Sequence, residues 1–217
     1  MIKLFEQFNN EQEIINICKE YGIEHYTINP DGSIDVDGSV YLNNKGLTKL
    51  PLKFNKVIGT FEIFNNQLTS LEGSPKEVSG TFDCFNNQLT SLIGGPERVD
   101  GGFKCTYNKL TSLKGSPERV GGYFKSSYNK ISSLEGSPII INGYLELIDN
   151  PISIIDSSVE VKGDIYLDDT NFDDKIKSLS QDKLRILFEH GVDYDIFRKD
   201  GSINDSRLER LFKDFNI

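Results

Sequence analysis

Apolar residues recur along most of this chain at a spacing of 21 residues. Two apolar columns, three residues apart, are formed by Leu47, Leu68, Leu89, Leu110, Ile131 and Ile152, and by Leu50, Leu71, Leu92, Leu113, Leu134 and Ile155. A third column consists of Val36, Val57, Val78, Val99, Val120 and Ile141. Agreement of so many columns at one spacing identifies a tandem repeat, and a repeat of about 20 to 50 residues is typical of a solenoid.

Each repeat contains a short alternating segment that predicts a β-strand. Phe82 and Cys84 lie two residues apart, so both side chains point to one face of an extended chain. The equivalent pairs are Val40/Leu42, Phe61/Ile63, Phe103/Cys105, Phe124/Ser126, Leu145/Leu147 and Ile165/Leu167. Because all of these residues except Ser126 are apolar, we expect the strands to stack in parallel with this face buried.

Turn and amide positions recur with the apolar columns. Gly-Ser-Pro segments such as residues 73–75 predict an outer turn in each repeat. A polar column follows the strands and consists of Asn66, Asn87, Asn108, Asn129 and Asn150. Stacked coils would bury these amides, which must then be hydrogen-bonded, so the column predicts a structural ladder. The spacing slips by one residue near residues 153–160, where Asp156-Ser157-Ser158 replaces the turn.

These columns carry a resemblance to known repeats. The segment from Phe82 to Leu92 resembles the L-x-L-x-x-N-x-L segment of leucine-rich repeats. The longer unit is similar to a 21-residue NNxLTSLxGSPxxVxGxF repeat family that is frequent in bacteriophage and bacterial genomes. The resemblance extends from about Ile34 to about Leu167, and the first and last units lack the proline. The resemblance implies a scaffold for recognising other molecules. Because the similar family is frequent in bacteriophage genomes, it also implies an inhibitor or modulator of a host protein such as a defence factor.

The patterns together predict a β-rich, leucine-rich-repeat-like solenoid with α/β caps at both ends. We expect about seven coils, each with one short parallel strand. The expected segments are an N-terminal helix-hairpin cap at residues 1–33, the repeat solenoid at 34–170 and a helical C-terminal cap at 171–217. Caps are required because the first and last coils of a solenoid otherwise leave apolar surface uncovered.

Both caps have recognisable local patterns. The spacing of Ile14, Ile17, Cys18 and Tyr21 predicts an amphipathic helix that stops at Gly22. A hairpin is expected next, with strands at residues 26–29 and 33–36. Near the C-terminus we expect a helix at 181–191, a small hairpin turning at 199–201 and a final helix at 205–212. The apolar residues expected to cover the last coil are Leu184, Leu187, Phe188, Leu208, Leu211 and Phe212.

Charge and composition narrow the function classes. The net charge is −9, which disfavours direct contact with the phosphates of nucleic acid. No apolar run approaches the roughly 20 residues that span a bilayer, and the N-terminus lacks the pattern of a secretion signal. We therefore expect a cytoplasmic protein, in the host cytoplasm if it is phage-encoded, with no membrane contact.

Catalytic candidates are few. His25 and His190 fall in opposite caps, and Cys84 and Cys105 fall in the inward column with no C-x-x-C pair. A run of carboxylates comprises Asp164, Asp168, Asp169, Asp173 and Asp174. It does not match a calcium loop and is expected to be a solvated edge. The sequence thus predicts a non-enzymatic protein without cofactor or metal.

The outward positions of the strands carry the functional prediction. The central column consists of Tyr41, Glu62, Asp83, Lys104, Lys125, Glu146 and Tyr166. Aromatic residues flank it and are expected to be adjacent in the pairs Phe64/Phe85, Tyr107/Tyr128 and Tyr123/Tyr144. Aromatic residues that frame a mixed-charge column are typical of a protein-binding surface, expected here on a concave face. The alternative interpretation is that the aromatic pairs only support the sheet.

Three functions are compatible with these patterns. The first is a protein-binding module whose partner is another protein. The second is an acidic decoy that blocks the groove of a nucleic-acid-binding protein. The third is a metal-dependent hydrolase or a small-ligand binder that uses the C-terminal carboxylates. The first is preferred because the repeat explains the glycines, cysteines and asparagines as structure and leaves the outward aromatic and charged columns without a structural reason.

Overall fold

The computed structural model of this chain is a β-solenoid with helices at its two ends. It describes residues 2–198 and 200–217, and it describes side chains from residue 10 onward within those ranges. The part of the chain so described contains helices α1 (Ile2–Tyr21), α2 (Asp174–Lys177), α3 (Gln181–His190) and α4 (Asp205–Asp214). The predicted fold class is confirmed.

Two parallel sheets run the length of the solenoid. The strands are β1 (Tyr26–Ile28), β2 (Ile34–Val36), β3 (Val40–Tyr41), β4 (Phe54–Val57), β5 (Phe61–Glu62), β6 (Glu77–Val78), β7 (Phe82–Asp83), β8 (Arg98–Val99), β9 (Phe103–Lys104), β10 (Arg119–Val120), β11 (Phe124–Lys125), β12 (Ile140–Ile141), β13 (Leu145–Glu146), β14 (Glu160–Val161) and β15 (Ile165–Tyr166). The odd-numbered strands from β3 to β15 form the face sheet, and β1 with the even-numbered strands forms the back sheet. All pairs are parallel except β1 with β2.

The strand register follows the repeat spacing. Phe61 pairs with Phe82, and Phe82 with Phe103, so each coil of the face sheet takes 21 residues. The last pair is Leu145 with Ile165, a spacing of 20, which confirms the predicted one-residue slip. The valine column contributes more than buried side chains. It also pairs, for example Val99 with Val120, and so builds the back sheet.

The core is a stack of identical layers. Four fully buried rings lie one above another along the solenoid axis: Phe61, Phe82, Phe103 and Phe124. Their centroids are 5.2 to 5.6 Å apart. The two leucine-type columns lie behind them and are buried from the second repeat onward. At the outer turn Gly115 has φ +91°, and a Cβ there would lie 2.2 Å from the Ile93 nitrogen, so only glycine fits.

The asparagine column joins each coil to the one before it. The Nδ2 of Asn108 donates to the carbonyl oxygens of Cys84 at 3.0 Å and of Cys105 at 3.1 Å. Its Oδ1 accepts from the Leu89 N–H at 3.0 Å. Asn66 and Asn150 make equivalent bonds. The predicted structural ladder is confirmed, because each amide satisfies backbone groups that the coil would otherwise bury unpaired.

The N-terminal end is covered by a helix and a hairpin. Helix α1 ends at Tyr21 and is followed by Gly22 with φ +66°, as its pattern predicted. Residues 26–28 and 34–36 form the expected hairpin, and its second strand continues into the back sheet by pairing with β4. The thiol of Cys18 is hydrogen-bonded to the Tyr26 side chain. Met1, the first residue of the expected cap, lies outside the described residues.

The C-terminal end is covered by α3 and α4. The six apolar residues expected to cover the last coil are all buried, and α3 packs on β14 and β15. The side-chain amide of Gln181 caps the edge strand β15, because its Oε1 accepts from Ile165 N–H at 2.7 Å and its Nε2 donates to Ile165 O at 3.1 Å. The expected small hairpin is reduced to a bridge between Phe197 and Ile203. Lys199 in its predicted turn lies outside the described residues.

Candidate protein-binding face

The candidate site is the outer surface of the face sheet, called the binding face below. It is formed by the outward residues of β3 to β15 and by the residues that directly precede or follow those strands. The central column lies in register, since Glu62 pairs with Asp83 and Asp83 with Lys104. Tyr41 and Tyr166 lie at its two ends and are 55% and 40% exposed. The predicted residues therefore share one surface.

The charged residues of the central column form two ion pairs in mirror order. Lys104 Nζ lies 3.5 Å from an Asp83 carboxylate oxygen, and Lys125 Nζ lies 3.4 Å from a Glu146 carboxylate oxygen. These side chains are only 14% to 30% exposed, unlike most of the other ion pairs of the described chain. Along the solenoid the order is acid, lysine, lysine, acid. Each lysine thus has a carboxylate on the side away from the other lysine.

The two lysines also lean toward different aromatic rows. Lys104 Nζ lies 4.2 Å from the centroid of Phe85, which follows strand β7. Lys125 Nζ lies 5.1 Å from the centroid of Tyr144, which precedes strand β13. Like charges on adjacent strands repel, so this divergence lowers their repulsion and gives each ammonium a ring face. A hydrogen bond with Tyr144 raises the pKa of Lys125.

Burial raises the pKa values of two carboxylates in the central column. Desolvation raises the pKa of Asp83, against the opposing effects of the Phe85 N–H bond and of Lys104. Desolvation, followed by repulsion from Asp83, raises the pKa of Glu62. The raised pKa values of Asp83 and Glu62 therefore reflect a desolvation penalty on the ionised carboxylates that a group fully in water would not carry.

The aromatic row that precedes the strands is made of Tyr123 and Tyr144. The ring centroids of Tyr123 and Tyr144 are 5.4 Å apart and stacked, which confirms the predicted pair. Tyr166 adds an edge contact with Tyr144 at 5.8 Å. Tyr123 is hydrogen-bonded to Thr81, and burial raises its pKa. Gly102 lies beneath the Tyr123 ring, so the phenol reaches across the coil that has no side chain at this position.

The aromatic row that follows the strands is made of Phe85, Tyr107 and Tyr128. Tyr107 and Tyr128 stack with centroids 4.3 Å apart and an interplanar angle of 9°, which confirms the predicted pair. Phe64 and Phe85 occupy one column on adjacent coils, as predicted, since the Asn65 N–H donates to the Phe85 carbonyl oxygen at 3.0 Å. The ring contact of Phe85, however, is edge-on with Tyr107 at 5.6 Å. The ring of Phe85 also has the Lys104 ammonium near its face.

Tyr107 and Tyr128 belong to a column with a left-handed backbone. Its members have φ between 52° and 57° and are Asn44, Asn65, Asn86, Tyr107, Tyr128, Asp149 and Asp169. Asparagine and aspartate tolerate this conformation, whereas a bulky residue pays a steric penalty in it. The asparagines bond one another, since Asn86 Nδ2 donates to Asn65 Oδ1 at 2.9 Å. The two tyrosines in the middle of this column thus expose their rings at the cost of an unfavourable backbone conformation.

The predicted site residues did not include Asp149 and Asp169, which also lie on the binding face. Both follow Tyr128 in the left-handed column, and Asp149 is exposed. The signal was present in the sequence, because Asn and Asp at five of seven equivalent positions mark a left-handed turn. Buried Thr106 and Ser127 were also not included; the Ser127 hydroxyl donates to a Glu146 carboxylate oxygen at 2.7 Å and helps to fix the second ion pair.

The remaining chemical candidates lie elsewhere. Cys84 and Cys105 are fully buried in the core, and burial raises the pKa of both thiols. His25 is an exposed residue between α1 and β1, and His190 stacks on Phe215 at the other end. Within the described residues no group of three or more His, Cys, Asp or Glu side chains is placed to hold a metal ion. None of the helices in that part of the chain is long and apolar enough to cross a membrane.

Comparison of the chain with protein-family models, with curated protein sequences and with solved structures found no match.

Proposed function

We propose that this chain is a non-enzymatic protein-binding module and that the binding face holds the partner. The observation that carries the proposal is the exposed Tyr107–Tyr128 stack on a left-handed backbone, beside two partly desolvated ion pairs. Exposed tyrosines supply large, rigid contact area, and fixed charges set the orientation of a partner. The resemblance to phage repeat proteins adds the proposal that the partner is a host protein, such as a defence factor, and that binding inhibits it.

The length of the face suits a protein partner. Seven strands at a spacing of about 4.8 Å span roughly 29 Å, which is comparable to one side of a standard protein interface. Side chains that are already paired, such as Lys104 with Asp83, lose little rotamer freedom when a partner binds. A preorganised surface of this kind favours recognition over catalysis.

The test compares one altered face with a matched alteration on the other sheet. The face variant combines Asp83→Asn, Phe85→Ala and Lys104→Gln, which removes two charges and one ring while retaining the shape of the polar side chains. The control combines Glu77→Gln and Arg98→Gln, which removes two exposed charges from the back sheet of the same coils. Both variants are expected to unfold at temperatures close to that of the wild type.

We expect the wild type and the control variant to capture proteins from host lysate that the face variant does not capture. Each such protein is then purified and its complex reconstituted, and hydrogen exchange locates the contact. Protection of residues 81–86 and 102–107 in the complex supports the proposal. Equal capture by wild type and face variant, or protection confined to the back sheet, contradicts it.

The acidic-decoy alternative predicts a different salt dependence. In that function the carboxylates carry binding, so affinity falls steeply between low and high salt. On the binding face, however, Lys104 and Lys125 are paired with Asp83 and Glu146, which reduces the acidic surplus of the central column. We therefore expect the affinity of the reconstituted complex to change modestly with salt, and a steep loss favours the decoy.

A further inference from the structure

Tyr128 has one ring face packed and one left open. Its inner face stacks on Tyr107 in the preceding coil, with centroids 4.3 Å apart. The following coil places Asp149 in the same column, in register through the bond from Tyr128 N–H to Ile148 O at 2.8 Å. Because an aspartate is short, it leaves the outer face of the ring uncovered, and Tyr128 is 40% exposed.

Two acidic residues lie beyond this ring on the following coils. Asp149 and Asp169 follow Tyr128 in the left-handed column, with φ of 53° and 54°. The pKa of Tyr128 is raised, first by Tyr107 and then, more weakly, by the charges of Asp149 and Asp169. Among the described residues neither carboxylate has an ion-pair partner, whereas neighbouring Asp164 is paired with Arg185 at 3.7 Å.

Three other aromatic residues of the binding face, Phe85, Tyr123 and Tyr144, have a lysine of the chain near the ring. Lys104 lies over Phe85 at 4.2 Å, and Lys125 lies near Tyr144 at 5.1 Å. In the described part of the chain no lysine or arginine lies over Tyr128. The face thus presents a ring with adjacent acidic groups but without the cation that completes the equivalent arrangement on neighbouring coils.

We propose that the outer face of Tyr128, with Asp149 and Asp169, receives an arginine side chain of the partner protein; this inference rests on the proposed protein-binding function. A guanidinium is planar, so it stacks on a phenol ring, and its N–H donors pair well with carboxylates such as those of the following coils. A lysine ammonium has no flat face and holds its hydration more strongly. A nucleic-acid phosphate would be repelled by both carboxylates.

The test titrates the full ¹⁵N-labelled chain with a short glycine-serine peptide that contains a single arginine. Parallel titrations use the same peptide with lysine and with citrulline, a neutral side chain of similar shape. We expect the arginine peptide to shift the amides of Tyr128 and Asp149, and the citrulline peptide to bind on the order of tenfold more weakly, as loss of a cation–π and ion-pair contact implies. The lysine peptide is expected to fall between them.

Two variants and two controls locate the site. Tyr128→Leu removes the ring, and Asp149→Asn removes one charge while keeping a residue that suits the left-handed backbone. Each is expected to weaken the arginine peptide severalfold. Tyr128→Phe keeps the ring, and Ile93→Ser removes an exposed apolar side chain at an outer turn outside the binding face, so both should bind like the wild type. Unchanged affinity of Tyr128→Leu and Asp149→Asn, or equal binding of the arginine and citrulline peptides, overturns the proposal.

Its failure is distinguishable from failure of the proposed function. A partner whose capture requires Asp83, Phe85 and Lys104 but not Tyr128 or Asp149 supports protein binding and refutes the arginine receptor. If the arginine peptide binds at Tyr128 but no protein is captured that requires the binding face, the arginine site is supported and the protein-binding function is refuted.

Discussion

The ring of Tyr123 occupies the space that a side chain on Gly102 would fill: a Cβ built on Gly102 would lie 2.4 Å from Tyr123 Cζ. The equivalent positions in the two preceding coils hold Thr60 and Thr81. The missing side chain of Gly102 therefore makes room for the Tyr123 ring on the binding face.

Gly102→Thr, which restores the side chain of the earlier repeats, is expected to displace the Tyr123 ring and break its bond with Thr81. Overpacking of this kind destabilises by about 1 to 3 kcal/mol. In a Tyr123→Thr background the same substitution should cost less than about 1 kcal/mol, because the obstructing ring is gone. Urea unfolding of the four proteins measures the coupling. Equal losses in both backgrounds would show that the glycine serves the backbone alone.

Tyr107→Asn with Tyr128→Asn is expected to change the free energy of unfolding by no more than about 1 kcal/mol. Losing the stack costs about 0.5 to 1.5 kcal/mol, and relief of two left-handed tyrosines returns a similar amount. Valine at both positions should be more destabilising than asparagine, because a β-branched residue fits this backbone poorly. Denaturant unfolding compares the two double variants. If asparagine proves as costly as valine, the stack is chiefly structural.

Asn108→Ala is expected to lower the free energy of unfolding by about 1 to 3 kcal/mol, because it leaves the Leu89 N–H buried without a partner and removes one of the two bonds to the Cys84 carbonyl oxygen. Asn108→Asp should be worse at neutral pH, since a carboxylate faces two carbonyl oxygens and cannot donate. Acidification should recover part of that loss, because the protonated acid can donate once. Gln88→Ala, at an exposed position, serves as the control and should change stability by less than about 0.5 kcal/mol. A loss of stability in Asn108→Ala as small as that in Gln88→Ala would contradict the structural role of the asparagine ladder.

Asp83→Asn is expected to change how stability depends on pH. The pKa of Asp83 is raised in the folded chain above its ordinary value of 3.8, so the folded state binds this proton more tightly than the unfolded state does. The stabilising effect is therefore present below the ordinary pKa and is lost as the pH rises through the folded pKa. Relative to Asp83→Asn, the wild type should gain stability as the pH falls from neutral toward about 4. Thermal unfolding of both proteins across this range measures the difference, and a wild type that loses ground on acidification refutes the assignment.

Much of the fold could be predicted because each coil repeats the same local rules. Phe82 and Cys84 are inward because side chains alternate along a strand, and Asn108 is bonded because a buried amide must be. The one-residue slip was also readable, since the register of Leu145 with Ile165 follows directly from the shorter repeat. Helix α2 was not predicted, because four residues are too few to show a periodic pattern.

The binding face was predictable only as a set of columns. Spacing places Phe64 and Phe85 on adjacent coils, but it does not say whether their rings meet. Phe85 turns instead to Lys104 and Tyr107, since a cation and an aromatic edge compete for the same ring. On a surface, several rotamers have similar energies, and contacts between coils decide among them.

The sequence by itself determined the solenoid, its register and its inward residues, because a 21-residue period leaves one way to bury the apolar columns and pair the backbone of successive coils. Only the tertiary structure decided where the outward side chains point. It turned Lys104 and Lys125 to opposite sides, laid Tyr123 over Gly102 and left one face of Tyr128 open beside Asp149. These arrangements depend on neighbours 21 residues away that touch only when the coils are stacked.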